Sequence, residues 1–317
     1  MKPCVVLITP SKLSPYTKSS LREVYYDSIF FTDEVLDFLI STFFSCHDNQ
    51  YGLITELSFS HTTTTTLADK TEQAAANKLQ YYSQHHQQQK VFRERNYSLE
   101  SLPMIKNIVK LSNLAQLDVS GTRVCGGEIC ASQTVYRNGE NASFDRPFVI
   151  DYDLVKEIRM SYCDCGDEKT VCTLCYKRFI LSSARKAKDL LVESWGLKFE
   201  KDFFIFFSGG RGWHLWIFSP FMRCMAPDRR MIFLESIRSS IFPNATRNTF
   251  DSPVTKDLSH LIRMPLSLHT ETCIPVLPLF SSIVKTSCVE DLLRWRDSIS
   301  EIETLKDEIK EWVKSIK

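Results

Sequence analysis

The chain has 317 residues, enough to bury a substantial core as one large domain or two modest ones. Its 39 Lys and Arg against 38 Asp and Glu leave a net charge of +1, which excludes a globally basic nucleic-acid-binding protein and confines any anion-binding surface to a local patch. No stretch approaches the roughly 20 apolar residues of a membrane span, and the apolar run in MKPCVVLITPSK is too short for a signal peptide core, so a soluble, non-secreted protein is expected.

Between residues 15 and 45, Leu21, Val24, Tyr25, Ile29, Val35, Phe38, Leu39 and Phe43 fall at helical spacings and predict one or two amphipathic helices. Leu53–Phe59 alternates like a strand, with Glu56 inside it. Residues 61–90 (HTTTTT, an Ala-rich piece, then SQHHQQQK) are polar and of low complexity. Such a segment buries little apolar surface, so an exposed helix or a mobile insertion is expected there. Ordered sequence resumes at Val91–Arg95, and Leu99–Leu117 is predicted helical with Pro103 near its start. Glycines and asparagines between 118 and 145 mark turns and short strands.

Pro147-Phe148-Val149-Ile150-Asp151-Tyr152-Asp153 then runs from apolar residues into two carboxylates with one residue between them. On a strand, positions i and i+2 project from one face, so two anions stand side by side. A hard divalent ion with oxygen ligands neutralises such a pair; a strand end entering an acidic turn has the same pattern. Eleven Cys is an odd number, and four of them bunch as Cys163-x-Cys165-x6-Cys172-x2-Cys175. Four thiols on one short loop, the last two in a CxxC knuckle, fit a closed tetrahedral zinc site in a reducing compartment better than a disulfide framework. A closed site has no open position, so this metal would hold a loop.

A helix is predicted from Leu174 to Trp195 with Gly196 as its C-cap, followed by strands at Phe203–Phe207 and Leu215–Phe218. Between these strands lies Ser208-Gly209-Gly210-Arg211-Gly212-Trp213-His214. Glycines let the backbone approach a ligand, while Ser208, Arg211 and His214 add a hydroxyl, a guanidinium fork and an imidazole suited to phosphate oxygens. It is neither a Walker A loop nor a Rossmann fingerprint, and a glycine-rich hairpin with an incidental Arg has the same composition. A helix is predicted at 228–241. Asp251 then sits in a polar loop before Lys256, His260, Arg263 and His269, a set that could supply a third metal ligand and further phosphate contacts, or a polar loop ahead of a core strand. From residue 289 onward an apolar stripe including Trp295, Ile302, Ile309 and Trp312 predicts a terminal amphipathic helix (289–317) packed on the protein's own core.

In this order, strand-D-x-D, a four-Cys knuckle, SGGRGWH, then an Asp followed by HLIRMPLSLH resembles the small catalytic subunit of archaeal and eukaryotic DNA primases. Tyr25-Tyr26 in an early helix, Thr55-Glu56-Leu57-Ser58-Phe59 and Arg95 resemble that family's N-terminal part, so the resemblance covers most of residues 20–275.

The resemblance implies an α+β catalytic domain over residues 1–288, with a mixed-sheet core of RNA-recognition-motif type, a zinc knuckle at 163–175 and the low-complexity insertion at 61–90. It implies polymerisation of ribonucleotides on single-stranded DNA. Asp151, Asp153 and Asp251 match the carboxylates that hold two Mg2+ or Mn2+ ions. Ser208, Arg211 and His214 match the triphosphate loop, Arg263 and His269 match the cationic pair after the third Asp, and Glu56 and Arg95 match nucleotide-site residues. Implied partners are NTPs, a template strand, a large primase subunit with an iron-sulfur cluster and a replicative DNA polymerase complex, in the nucleus if the source is eukaryotic.

The chain departs from the pattern in five places, one being the insertion at 61–90, which is longer than expected. Arg263 stands where Lys is usual, Gly210 where a second Arg is common, the stretch from His214 to Asp251 is short, and Leu154-Val155-Lys156 replaces a second acidic cluster. Two other readings use the same residues: a primase-polymerase relative that incorporates dNTPs or extends ends in repair, and a zinc-stapled nucleic-acid-binding module without catalysis. The latter has no need of three carboxylates and a phosphate loop together.

Overall fold

The structure is a computed structural model, and it describes residues 15–44, 52–65, 88–98, 106–107, 114–125, 143–144, 147–160, 162–163, 172–223, 225–242, 250–257, 260–281, 283–284, 295 and 299–316. Two N-terminal helices, α1 (Pro15–Tyr25) and α2 (Asp33–Leu39), each run on into π-type turns. Their apolar residues recur at helical spacing, and Tyr25, Tyr26, Ile29, Phe30, Phe38 and Leu39 are buried as that spacing demands.

Strands β1 (Gly52–Thr65), β2 (Gln88–Ser98), β3 (Leu114–Cys125) and β4 (Ser143–Phe144) form a first sheet in the order β2-β1-β3-β4. β5 (Phe148–Asp153) opens the second sheet and is followed by the short helix α3 (Lys156–Met160). Helical turns then run unbroken over 173–194 (α4), and Gly196 ends them at φ 65°, where a side chain would be strained. β6 (Phe203–Phe207) and β7 (Gly212–Ile217) come next, then the single turn α5 (Pro220–Arg223) and α6 (Pro227–Ile241). Pro227 and Asp228 start α6 in the usual way, a proline whose missing N–H costs nothing and an acid near the positive helix end. α7 (Ser252–Lys256), β8 (Ile262–Arg263), β9 (Leu277–Pro278) and α8 (Ile299–Ile316) complete the order.

The second sheet has the order β5-β7-β6-β9, while β8 pairs with β3 and so belongs to the first sheet. All five residues of β6 and all six of β7 are buried, which is why they read as continuous apolar runs. On one face Tyr152, Trp213 and Phe207 meet α4, through Trp213 Nε1 donating to Ser183 Oγ at 2.8 Å and Tyr176 packing edge-on to Phe207. Phe148 on the same face meets Phe233 of α6 at 4.9 Å. On the other face Phe204 and Phe206 meet Trp312 of α8, which also packs on Phe38 of α2. Each such fully buried aromatic contributes roughly 1.5–3 kcal/mol through removal from water. α8 therefore lies on the protein's own core, with Ile302, Leu305, Ile309, Trp312 and Val313 buried.

The α+β class holds, with three differences from the sequence expectations. Every ladder among the described residues is antiparallel, where a mixed sheet was expected. The segment 61–90 is strand at both ends, since Thr62–Thr65 pair with Val91–Gln88; residues 66–87 lie outside the described residues. The helix expected over Leu99–Leu117 ends in strand instead, because 114–117 belong to β3. No helix among the described residues is long and apolar enough to cross a membrane.

Candidate active site

Alternation along β5 sends Asp151 and Asp153 to one face and Tyr152 to the other. Tyr152 is fixed from three sides. Its ring stacks on Trp213 at 5.1 Å and on Phe242 at 5.3 Å, and Phe250 meets it edge-on. Across the ladder Asp151 pairs with His214 and Asp153 with Gly212. A Cβ at Gly212 would stand 1.7 Å from the Tyr152 carbonyl oxygen, so only glycine lets the strands meet beside the carboxylates.

Asp251 is fastened to the same strand by main chain. Phe250 bridges Tyr152, the Asp251 N–H donates to the Asp151 carbonyl at 2.9 Å, and Thr255 Oγ1 donates to the Val149 carbonyl at 2.7 Å.

The loop between β6 and β7 closes on itself. Ser208 Oγ accepts the N–H groups of Gly210 at 3.3 Å and Gly212 at 3.1 Å, and the Ser208 N–H donates to the Gly212 carbonyl. Ser208 is thus first a loop-former, and its O–H is what it can offer a ligand. Gly209 sits at φ 77°, and a Cβ there would be 2.5 Å from the Ile274 carbonyl oxygen and 2.8 Å from His269 Cβ. Arg263 Nη1 donates to the Ser208 carbonyl at 3.1 Å. His269 Nδ1 accepts the N–H groups of Glu271 at 3.2 Å and Thr272 at 3.3 Å, which in the neutral ring leaves the proton on Nε2 as a donor.

A cavity of about 460 Å3 is walled by Asp151 and Asp153 on one side and by Ser208, Arg211, His214, Arg263 and His269 on the others. Asp251 is exposed and is not part of that wall, yet its charge acts on it. Burial first, then the neighbouring Asp153 and Asp251, push the Asp151 carboxyl up to about 8. Asp153 is raised too, mainly by burial, although Arg211 and Arg263 oppose the shift. His214 is pushed down to about 3 by burial and by the Arg263 charge. Its Nε2 lies 3.6 Å from Asp151 Oδ1, too far for a hydrogen bond, and with the imidazole neutral the contact is not an ion pair. The cationic wall therefore comes from the two guanidinium groups.

Of the predicted residues from 151 onward, Asp151, Asp153, Ser208, Arg211, His214, Arg263 and His269 thus line one cavity with Asp251 fastened beside it, whereas Lys256 and His260 are not part of its wall. Glu56 and Arg95 fall on β1 and β2 of the first sheet, with Glu56 opposite Ser98; their side chains lie outside the described residues, as does Cys165. Two threonines that hold the site carry no sequence signal. Thr255 is tied to β5, and Thr272 Oγ1 donates to the Gly209 carbonyl at 2.5 Å; a Thr after a candidate Asp or His looks like any turn residue.

Behind β5, Cys163, Cys172 and Cys175 are buried with their sulfurs all within 4.8 Å of one another. Cys163 and Cys172 sulfurs are 3.4 Å apart, and Cys172 Sγ accepts the Cys175 N–H as the N-cap of α4. Three converging thiols could hold a metal ion, and they would tie the turn after α3 to the helix that carries Ser183.

None of the curated proteins compared with the chain matches it. Residues 150–278, which hold β5, the glycine loop, Asp251 and the His269 loop, match the family model of the DNA primase small subunit, the family that the motifs resemble.

Proposed function

We propose that the protein synthesises short RNA primers on single-stranded DNA by nucleotidyl transfer. The observation that carries this reading is the backbone hydrogen bond from the Asp251 N–H to the Asp151 carbonyl, which holds a third acidic residue near enough for its charge to act on Asp151, beside a wall containing Arg211 and Arg263. The family matched over 150–278 supports a nucleotidyltransferase that uses divalent metal.

The residues fit the ions. A carboxyl pushed up to about 8 by burial and then by two neighbouring acids sits in a site short of positive charge, and its donors are hard oxygens, as Mg2+ and Mn2+ require. In this reading Asp151, Asp153 and Asp251 hold the ions, whose chemistry is activation of a 3′-hydroxyl and stabilisation of the leaving pyrophosphate. Arg211 and Arg263 grip triphosphate oxygens with their planar forks. The Ser208 hydroxyl and His269 Nε2 donate hydrogen bonds to the same group. His214, neutral and buried, packs beside Asp151 without adding charge, and Glu56 and Arg95 complete the nucleotide site from the first sheet.

On this reading the four-stranded second sheet, with α4 and α6 on one face, serves as the catalytic core of RNA-recognition-motif type that the resemblance implies. Residues 1–288 form the catalytic unit, and 289–317 end in a helix laid against it. Cys163, Cys165, Cys172 and Cys175 hold one structural Zn2+. Partners on this reading are NTPs, a single-stranded DNA template, a large primase subunit and a replicative polymerase complex.

Purified protein given single-stranded DNA, NTPs and Mn2+ is expected to make short RNA, and Asp151→Ala or Asp251→Ala to abolish it. Synthesis unchanged in both variants overturns the reading. A parallel reaction with dNTPs separates primer synthesis from a primase-polymerase activity.

A further inference from the structure

We propose that α1 is a positioning element for the nucleotide site, with Arg22 and Tyr26 holding the loop that presents His269; the inference rests on the nucleotide-binding reading above. Three side chains, two in the last turn of α1 and one opening the π-type turn that continues it, clamp this loop from far away in sequence. Tyr25 OH donates to the Leu266 carbonyl at 2.6 Å, Tyr26 OH accepts the Leu268 N–H at 3.3 Å, and Arg22 Nη2 donates to the Thr270 carbonyl at 2.9 Å.

The clamped backbone is strained. Leu266 and Cys273 bracket His269 at φ 63° and 52°, a left-handed conformation that residues with a side chain adopt at a cost and keep only where surrounding contacts fix it. Tyr25 holds the first of these residues directly. At the other end the Cys273 N–H donates to the His269 carbonyl, and Thr272 ties the loop to Gly209. The consequence lands on one ring. The N–H groups of Glu271 and Thr272 that fix His269 Nδ1 come from this same loop, so the clamp sets both where the imidazole sits and which nitrogen carries its proton. Tyr25 and Tyr26 are fully buried, whereas Arg22 is half-exposed and its removal leaves the core intact.

The test measures binding of a fluorescent ATP analogue with Mn2+, alongside KM and kcat for primer synthesis. Losing one hydrogen bond of the clamp in Arg22→Ala or Tyr26→Phe is expected to weaken nucleotide binding and raise KM about three- to tenfold, with kcat little changed. Arg22→Lys, which keeps a donor, is expected to recover part of the loss. In a His269→Ala background, Arg22→Ala is expected to add nothing further, because it acts through the ring already removed. Unchanged nucleotide affinity in Arg22→Ala, or losses that add in full in the double variant, overturns the proposal. A wild-type chain that binds nucleotide yet makes no primer refutes the primer-synthesis reading and leaves this comparison to be made by binding; a wild-type chain that binds no nucleotide refutes both.

Discussion

The backbone N–H of Asp251 donates to the carbonyl of Asp151 at 2.9 Å, so two carboxyl-bearing residues from distant parts of the chain are joined by main chain and not by their side chains. Both carboxyl groups are left for other work. Asp251→Asn keeps the N–H that makes this bond and removes only the charge. It is expected to lower primer synthesis at least about a hundredfold, the scale of losing one preorganised charge at a reacting centre. It should also bring the Asp151 pKa down from about 8, since Asp251 is one of the charges raising it. Synthesis assays and carboxyl titration by NMR check the two halves.

Stability of the metal-free protein should depend on pH in a defined window. Asp151 has a folded pKa of about 8, above its unfolded value near 4, so its contribution is complete below about pH 4 and is lost as pH rises to 8. His214 works the other way. Its folded value of about 3 lies below the unfolded 6.5, so its contribution is complete above 6.5 and is lost on going down to 3. The two slopes offset each other up to about pH 6.5; beyond it the Asp151 slope is no longer opposed by His214, and the raised Asp153 adds in the same direction as Asp151. Unfolding free energy is expected to fall by about 2 kcal/mol between pH 6.5 and 8, then level off. Urea titrations across this range test the sign, and Asp151→Asn should flatten the profile.

Gly212→Ala is expected to destabilise the protein by about 3 kcal/mol, because the added methyl collides with the Tyr152 carbonyl and forces β5 and β7 apart. The urea midpoint measures it. Gly196→Ala is the contrast: no atom lies within 4 Å of a Cβ there, and only the strain of φ 65° remains.

Cys172→Ser separates a metal ligand from a helix cap. Cys172 Sγ caps α4 by accepting the Cys175 N–H, and serine is itself a good N-cap. A melting temperature several degrees lower, together with a fall from about one Zn per chain, is therefore expected from loss of the metal. Zinc analysis and thermal melts, with and without a chelator, check both.

Legibility in the sequence followed the range of the interactions. β5, the glycine loop and β7 were readable because alternation and glycine spacing are local. Asp251 could be joined to Asp151 only by resemblance, since its link is a backbone bond that any residue type can make. The threonine tract misled for a physical reason. Low-complexity polar sequence suggests little burial, but Thr is β-branched and favours extended backbone, and Thr62–Thr65 find partners in Val91–Gln88. Leu114 and Leu117 fit a helical spacing, yet the ladder with β1 places both in a strand. The clamp of α1 on the His269 loop was invisible because a tyrosine's distant hydrogen-bond partner leaves no periodic trace.

Arg263 belongs to both sheets at once. Its backbone sits in β8, laddered to Asp118 of β3, while its guanidinium grips the Ser208 carbonyl in the loop of the second sheet. One residue rivets the two sheets across the cavity. Sliding one sheet over the other by little more than an ångström would snap that rivet and spread the phosphate wall, so the mouth of the site is a gauge of inter-sheet shear. A partner that leans on the first sheet would be felt at Ser208 without touching the cavity.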